Sequence, residues 1–161
     1  MGSHGLMEKS VWYDESFLVP FIIRWPGHIE PGQDNLLLGT PDIMPTLLGL
    51  TGLSEQIPDV VEGTDYAATL LGESNSRPQS AFYIHPNVYD PMLADRRGVR
   101  TDQYTFVVSR QSGEETMILH DNLADPFQLK NIVKEQPTVV NRMRELLNQW
   151  LIKTNDPWPM L

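Results

Sequence analysis

Few side chains in this chain have surroundings that suit chemistry, and Lys9 comes first. Its ammonium is a compact charge with three rotatable donors, the right tool for holding an anionic group. Taken alone, a lysine just ahead of a short helix reads as an exposed surface charge. His4 stands in Gly2-Ser3-His4-Gly5, where an imidazole fits either a substrate contact or a hydrogen bond inside a tight turn. His85 follows a β-rich run and enters a long loop that ends at Arg96-Arg97, so it can reach over a pocket or lie on a plain surface loop. The four histidines, His4, His28, His85 and His120, have no partner at i+2, i+3 or i+4, so the segment carries no self-contained metal site. Asp14-Glu15 and Glu114-Glu115 are neighbours in sequence, and neighbours do not converge as an acid/base pair must. Arg100 reads as an ion-pair anchor between the two halves of the chain.

These residues need elements to hold them. Ser10 to Phe17 reads as a short helix, and Val19 to Trp25 is an apolar run without alternation, as expected of a strand covered on both faces. Pro26-Gly27 and Pro31-Gly32 supply turns before the short apolar run Asn35 to Leu38. A helix follows, with Asp42 as N-cap, Pro45 in the first turn and Gly49 to Gly52 closing it. Pro58 to Gly63 reads as a loop and Asp65 to Leu71 as one more helical turn. The polar stretch Gly72 to Pro78 marks a boundary, which gives two parts, residues 1–76 and 77–161. Beyond it Ser80 to His85, Gly98 to Thr101, Tyr104 to Arg110 and Thr116 to His120 read as an antiparallel meander with a hairpin loop over Gln111 to Glu114. From Pro137, Val139, Met143, Leu146 and Trp150 recur at helical spacing, so a long helix can cover the meander's apolar face. Trp158 is placed to dock the tail.

Composition narrows the function classes. The 161 residues suffice for a real core, and a formal charge of −9 without a basic run opposes binding to nucleic acid. No apolar stretch approaches the roughly 20 residues needed to cross a bilayer. Cysteine is absent, which removes disulfides and thiolate metal sites.

Three runs in order point further. Gly2-Ser3-His4-Gly5-Leu6-Met7-Glu8-Lys9 leads into Tyr13-Asp14-Glu15-Ser16-Phe17-Leu18-Val19-Pro20-Phe21-Ile22-Ile23-Arg24-Trp25-Pro26-Gly27. Pro41-Asp42-Ile43-Met44-Pro45-Thr46-Leu47-Leu48 comes next. Gly98-Val99-Arg100-Thr101 and Leu119-His120-Asp121-Asn122-Leu123-Ala124-Asp125-Pro126-Phe127-Gln128-Leu129-Lys130-Asn131 complete the set. Together they resemble the late part of a sulfatase, with His120 in place of a usual tyrosine, Gln128 of a frequent glutamate and Leu18 of a frequent arginine. The Met-Gly-Ser-His start also suits an expression tag, but a tag would not continue into Gly-Leu-Met-Glu-Lys and the runs that follow.

The resemblance implies an α/β fold, the C-terminal part of an alkaline-phosphatase-like fold. Residues 1–76 would be the remainder of its large α/β domain, and 77–161 a small antiparallel sheet packed on a long C-terminal helix. It implies hydrolysis of sulfate esters with Lys9 as the catalytic contact to the sulfate and its bridging oxygen and with His4 near the same pocket, while His85 is a substrate-binding candidate from its loop position alone. Family members use calcium and a formylglycine nucleophile made in a Cys/Ser-x-Pro-x-Arg motif. No serine here starts such a motif, so both would lie upstream and the isolated segment is expected to be inactive. Phosphonate or phosphate monoester hydrolysis within the same superfamily, or a non-catalytic interaction module, remain alternatives. A periplasmic or secreted location also follows from the family alone. A Val19 to Trp25 strand without its sheet neighbours is expected to leave open apolar edges, hence self-association of the segment.

Overall fold

The computed structural model describes residues 2–6, 11–86 and 94–161. They fall into two compact units, Met1–Pro20 with Phe82–Leu161, and Phe21–Ala81.

The first unit is built on four strands, β1 (Ala81–His85), β2 (Asp95–Arg100), β3 (Tyr104–Gln111) and β4 (Glu114–Asp121), in the order β1-β2-β3-β4. The meander read from the sequence is present, and each strand differs from its expected bounds by a few residues. Ser112 and Gly113 both adopt positive φ, 51° and 85°, between the paired Gln111 and Glu114. That is the twist a two-residue hairpin requires, so the loop is shorter than the four residues expected.

Helix α4 (Pro137–Lys153) begins on a proline, whose missing N–H is unpaired at that position anyway. Val140, Met143, Leu147 and Leu151 lie on Val99, Phe106, Val108 and Leu119 in one dry cluster, completed by Leu146 and Trp158. Each such side chain contributes about 1.5–3 kcal/mol by leaving water, which makes this cluster the main stabiliser of the unit. The long helix and its sheet are thus as expected.

The tail is clamped over the same side. The Trp158 indole donates to Asp95 (2.7 Å), and the guanidinium groups of Arg97 and Arg110 lie 5.1 and 4.2 Å from its ring centre. Arg97 Nε donates to Asp156 at 2.7 Å, with 5% and 4% of the two side chains exposed. A second guanidinium nitrogen of Arg97 bonds Asp95 at 2.6 Å.

The second unit centres on helix α2 (Thr40–Leu50). Asp42 was expected to cap it, and instead sits in the first turn, where one carboxylate oxygen accepts from the Gly39 N–H (2.8 Å) and the other from the Thr64 N–H (2.8 Å). The helix starts earlier than its apolar pattern because Pro41 and Asp42 suit a first turn. Pro45 therefore lies inside the helix rather than in its first turn, and the Pro41 carbonyl loses its helical donor. Gly63 packs against that carbonyl so closely that a Cβ would overlap it. Thr46, fully buried, accepts the Tyr66 N–H at 3.1 Å and fixes the start of α3 (Ala67–Leu70).

Two expected strands do not form. Val19 to Trp25 and Asn35 to Leu38 have no ladder partner among the described residues, and Val19 and Ile22 are 79% and 88% exposed. Apolar, β-branched composition favours an extended backbone, but a strand exists only by pairing. Of the expected helix over Ser10 to Phe17, Ser10 lies outside the described residues and the rest forms only α1 (Asp14–Phe17). No helix among the described residues is long and apolar enough to cross a membrane.

Asp156→Ala leaves the Arg97 guanidinium buried with one carboxylate fewer, and is expected to cost about 3 kcal/mol of stability. Urea unfolding checks it: the midpoint falls at an unchanged slope, whereas an unchanged midpoint contradicts the clamp.

Candidate functional site

The antiparallel register divides the sheet into unlike faces. Val99 pairs with Phe106 and Phe106 with Leu119, and this row lies under α4. One residue along, Arg100 pairs with Thr105 and Thr105 with His120, and two residues further Gly98, Val107 and Ile118 align on the same side. Alternation of side chains therefore puts Arg96, Arg100, Thr105 and His120 on the face away from the helix. That polar face is covered by the N-terminal segment, 11–17.

Asp14 anchors the cover. Its carboxylate takes two guanidinium nitrogens of Arg100, a bidentate pair across 86 residues of chain. Gln128 closes the joint from the β4 side. It is 1% exposed, accepts the Asp14 N–H at 2.9 Å, and donates through its amide nitrogen to Asp14 (3.1 Å), Asn122 (3.0 Å) and Thr105 (3.3 Å). Its φ of 52° is a left-handed conformation uncommon for a residue with a side chain, here held by the turn that follows Asp121. In that turn the Asp121 carboxylate accepts the N–H groups of Leu123 and Ala124, and Asp125 accepts that of Lys130. Arg100 thus serves as the expected anchor, joining an N-terminal carboxylate to the sheet.

Trp12 reaches His120, its indole N–H donating to Nε2 at 3.3 Å, while Nδ1 lies 2.9 Å from the Lys130 carbonyl. A carbonyl can only accept, so Nδ1 carries the proton and Nε2 is the acceptor, which is the neutral imidazole. Burial is the largest influence and holds His120 below its ordinary pKa, against the opposing pull of the Lys130 carbonyl and of Asp125 and Asp14.

The residues singled out in the sequence meet different ends. Lys9 lies outside the described residues. His4 adopts φ 56°, stacks on Tyr13 with ring centres 3.5 Å apart, and places Nε2 3.4 Å from a Glu15 oxygen. His85 ends β1 half-buried, with Nδ1 buried and unpartnered. His28 stacks on Trp25 and is exposed. Asp14 and Glu15 part company, one on Arg100 and one on His4. Among the described residues no three His, Asp or Glu side chains converge as a metal site would need, so these residues do not fit a calcium ion. Sequence reasoning missed Gln128 and Trp12 as organisers. A glutamine in the place of a usual glutamate, within an Asp-Pro turn, was the available signal for the first.

The chain matches the family model described as N-sulphoglucosamine sulphohydrolase, C-terminal, over residues 2–154. It is 35% identical to an endo-4-O-sulfatase of Bacteroides thetaiotaomicron, over 93% of this chain and 32% of that protein. Against an ulvan-active sulfatase of Formosa agariphila the identity is 33%, over 92% and 29% of the two. Human arylsulfatase A is 34% identical over 78% of this chain and 24% of its own length. A solved chain of Bacteroides fragilis assigned to the sulfatases superposes with a TM-score of 0.83 at 34% identity, covering 92% of this chain and 32% of that one. The chain spans about a third of the length of the curated relatives it matches.

Because His120 is held neutral, its contribution to stability is complete above the unfolded pKa of about 6.5 and is lost as pH falls from there toward the lowered folded value. The unfolded chain takes up the proton first, so Tm is expected to drop between pH 7 and pH 5. Substituting His120→Gln should flatten that part of the profile; an unaltered slope in the variant contradicts the assignment.

Proposed function

The chain belongs to the sulfatase family, through the family model described as N-sulphoglucosamine sulphohydrolase, C-terminal, and from that premise we propose that it is the late portion of an enzyme hydrolysing sulfate esters on glycans. The observation that carries the reading is the family match along 2–154, which includes both the Lys9 run and the Arg100 to Asn131 run. The fold agrees: α/β, a small four-stranded antiparallel sheet on a C-terminal helix, shared with sulfatases of alkaline-phosphatase-like fold. Relatives named for 4-O-sulfate and for ulvan support a sulfated glycan as the substrate class, while the arylsulfatase A relative is of similar identity.

Breaking a sulfate ester requires cations on the sulfuryl oxygens, an in-line nucleophile and a proton for the departing oxygen. In this reading Lys9 supplies the positive charge and the proton-bearing contact to the bridging oxygen. His85 faces the sugar. His4, stacked on Tyr13 and close to Glu15, steadies the stretch that delivers Lys9. The nucleophile and calcium belong to residues preceding this segment, since the sequence holds no cysteine and no Ser-x-Pro-x-Arg.

Residues 1–76 then act as the remainder of the large domain and 77–161 as the small subdomain. The unpaired, exposed run from Leu18 to Ile22 supports this, because such a backbone gains most by entering a sheet supplied by preceding polypeptide. Without that sheet the segment associates with itself.

The purified segment is expected to release no sulfate from 4-nitrophenyl sulfate or a sulfated oligosaccharide. A polypeptide carrying the upstream two thirds releases it, and Lys9→Ala in that polypeptide lowers kcat by about 10²-fold or more. Wild-type turnover by Lys9→Ala, or activity of the segment alone, overturns the reading.

A further inference from the structure

His120 sits where the N-terminal segment meets the sheet, 2% exposed, with Thr105 opposite it on β3. Its two ring nitrogens face partners of opposite kind. Nδ1 donates to the Lys130 carbonyl at 2.9 Å, and Nε2 accepts the Trp12 indole N–H at 3.3 Å. An indole nitrogen can only donate. The contact to Trp12 therefore exists only while Nε2 keeps its lone pair, and a second proton on the ring sets two N–H groups head to head.

The groups around the ring set its response to acid. Burial, the largest influence, opposes a charge there, and the Lys130 carbonyl, Asp125 of the turn after β4 and Asp14 of α1 favour one. His4, stacked on Tyr13, opposes it as a like charge. Neither ring nitrogen is bonded to a carboxylate, since that of Asp14 is taken by Arg100 of β2 and the Lys130 ammonium is turned to Glu135. Tyr13 lies 5.7 Å from the His120 ring centre, and burial and Glu15 raise its phenol above the ordinary value, so it stays neutral throughout. Arg96 lies over the Trp12 ring and brings donors, no acceptor.

We propose that His120 and Trp12 form an acid-released latch: a proton on Nε2 detaches Trp12 and loosens the stretch ahead of Asp14, while Asp14 stays clamped to Arg100. Opening wins because a buried donor left unpaired costs more than one hydrogen bond contributes, and a Trp12 that swings out lets water satisfy both N–H groups. Trp12 is only half-buried, so it has solvent to swing into. The Asp14–Arg100 pair contains no imidazole and does not depend on that proton. The latch is closed at neutral pH, where burial keeps the ring uncharged, and opens as pH falls below the ordinary imidazole range. It stands without the sulfatase reading. On that reading it adds regulation, because Lys9 lies in the sequence between His4 and Trp12, in the part that acid loosens.

The test is an NMR titration of the 161-residue chain from about pH 7.5 to about pH 5, following the His120 ring and the indole N–H signals of Trp12 and Trp158. The Trp12 signal is expected to move toward that of a water-exposed indole with the midpoint of the His120 ring, and its NOE to that ring to vanish. The Trp158 indole, bonded to Asp95, and the Asp14 N–H, bonded to Gln128, are expected to stay in place, which separates release from unfolding. In His120→Gln, whose amide oxygen accepts at every pH, the Trp12 signal is expected to be flat. A Trp12 signal that stays put while His120 gains its proton overturns the latch, as does a His120 ring that takes up no proton over this range. Equal movement in His120→Gln, or loss of the Trp158 signal together with that of Trp12, overturns it as well. Hydrolysis is not read in this titration, so the sulfatase reading stands or falls separately on sulfate release by the longer polypeptide.

Discussion

The bidentate pair between Asp14 and Arg100 governs how the polar side of the sheet is organised. A strand face bearing Arg96, Arg100, Thr105 and His120 beside Val107 and Ile118 mixes charge with apolar surface, so its cover must include groups that satisfy the polar members. The segment 11–17 does this with one carboxylate and one indole. Water is partly excluded from the pair, whose side chains are 16% and 23% exposed, and attraction there exceeds that of a surface ion pair. Gln128 makes the arrangement specific. Its amide meets the Asp14 backbone and carboxylate as well as Asn122 and Thr105, and a carboxylate in its place would face Asp14 with like charge.

The opposite face obeys another rule. There the α4 cluster is apolar and dry, and the polar contact beside it is the Arg97 clamp on Asp156 and Asp95. The two faces meet at neighbouring residues of β2, Arg96 and Arg97, which point to opposite sides. One is neutralised by carboxylates. The other lies over the Trp12 ring, 5.6 Å from its centre, beside the Tyr83 hydroxyl.

Much of this was legible in the sequence, and the physical reason differs by element. Helix α4 and the meander are stabilised by patterns local to the chain, an apolar stripe and short β-rich runs between turns, so periodicity found them. The run Val19 to Trp25 has a strand's composition, but pairing depends on partners that composition cannot reveal, and among the described residues it stays unpaired. Asp42 misled by three positions because a carboxylate suits a helix start in two places: at the cap it accepts N–H groups of the first turn, and three residues on it accepts the N–H of the cap, as Asp42 does from Gly39. Of the candidate site residues, His4 places Nε2 near Glu15, and His85 holds a buried ring nitrogen without a hydrogen-bond partner. The organising roles of Gln128 and Trp12 were missed because they arise from contacts 114 and 108 residues away.

A double-mutant cycle on Asp14 and Arg100 tests the central claim most directly. Unfolding free energies of Asp14→Ala, Arg100→Ala and the double variant are expected to reveal a coupling of about 1–3 kcal/mol, with Trp12 released from His120 in each single variant. Additive losses, together with an unchanged Trp12 environment, would show that the N-terminal segment is held on the sheet by something other than this pair.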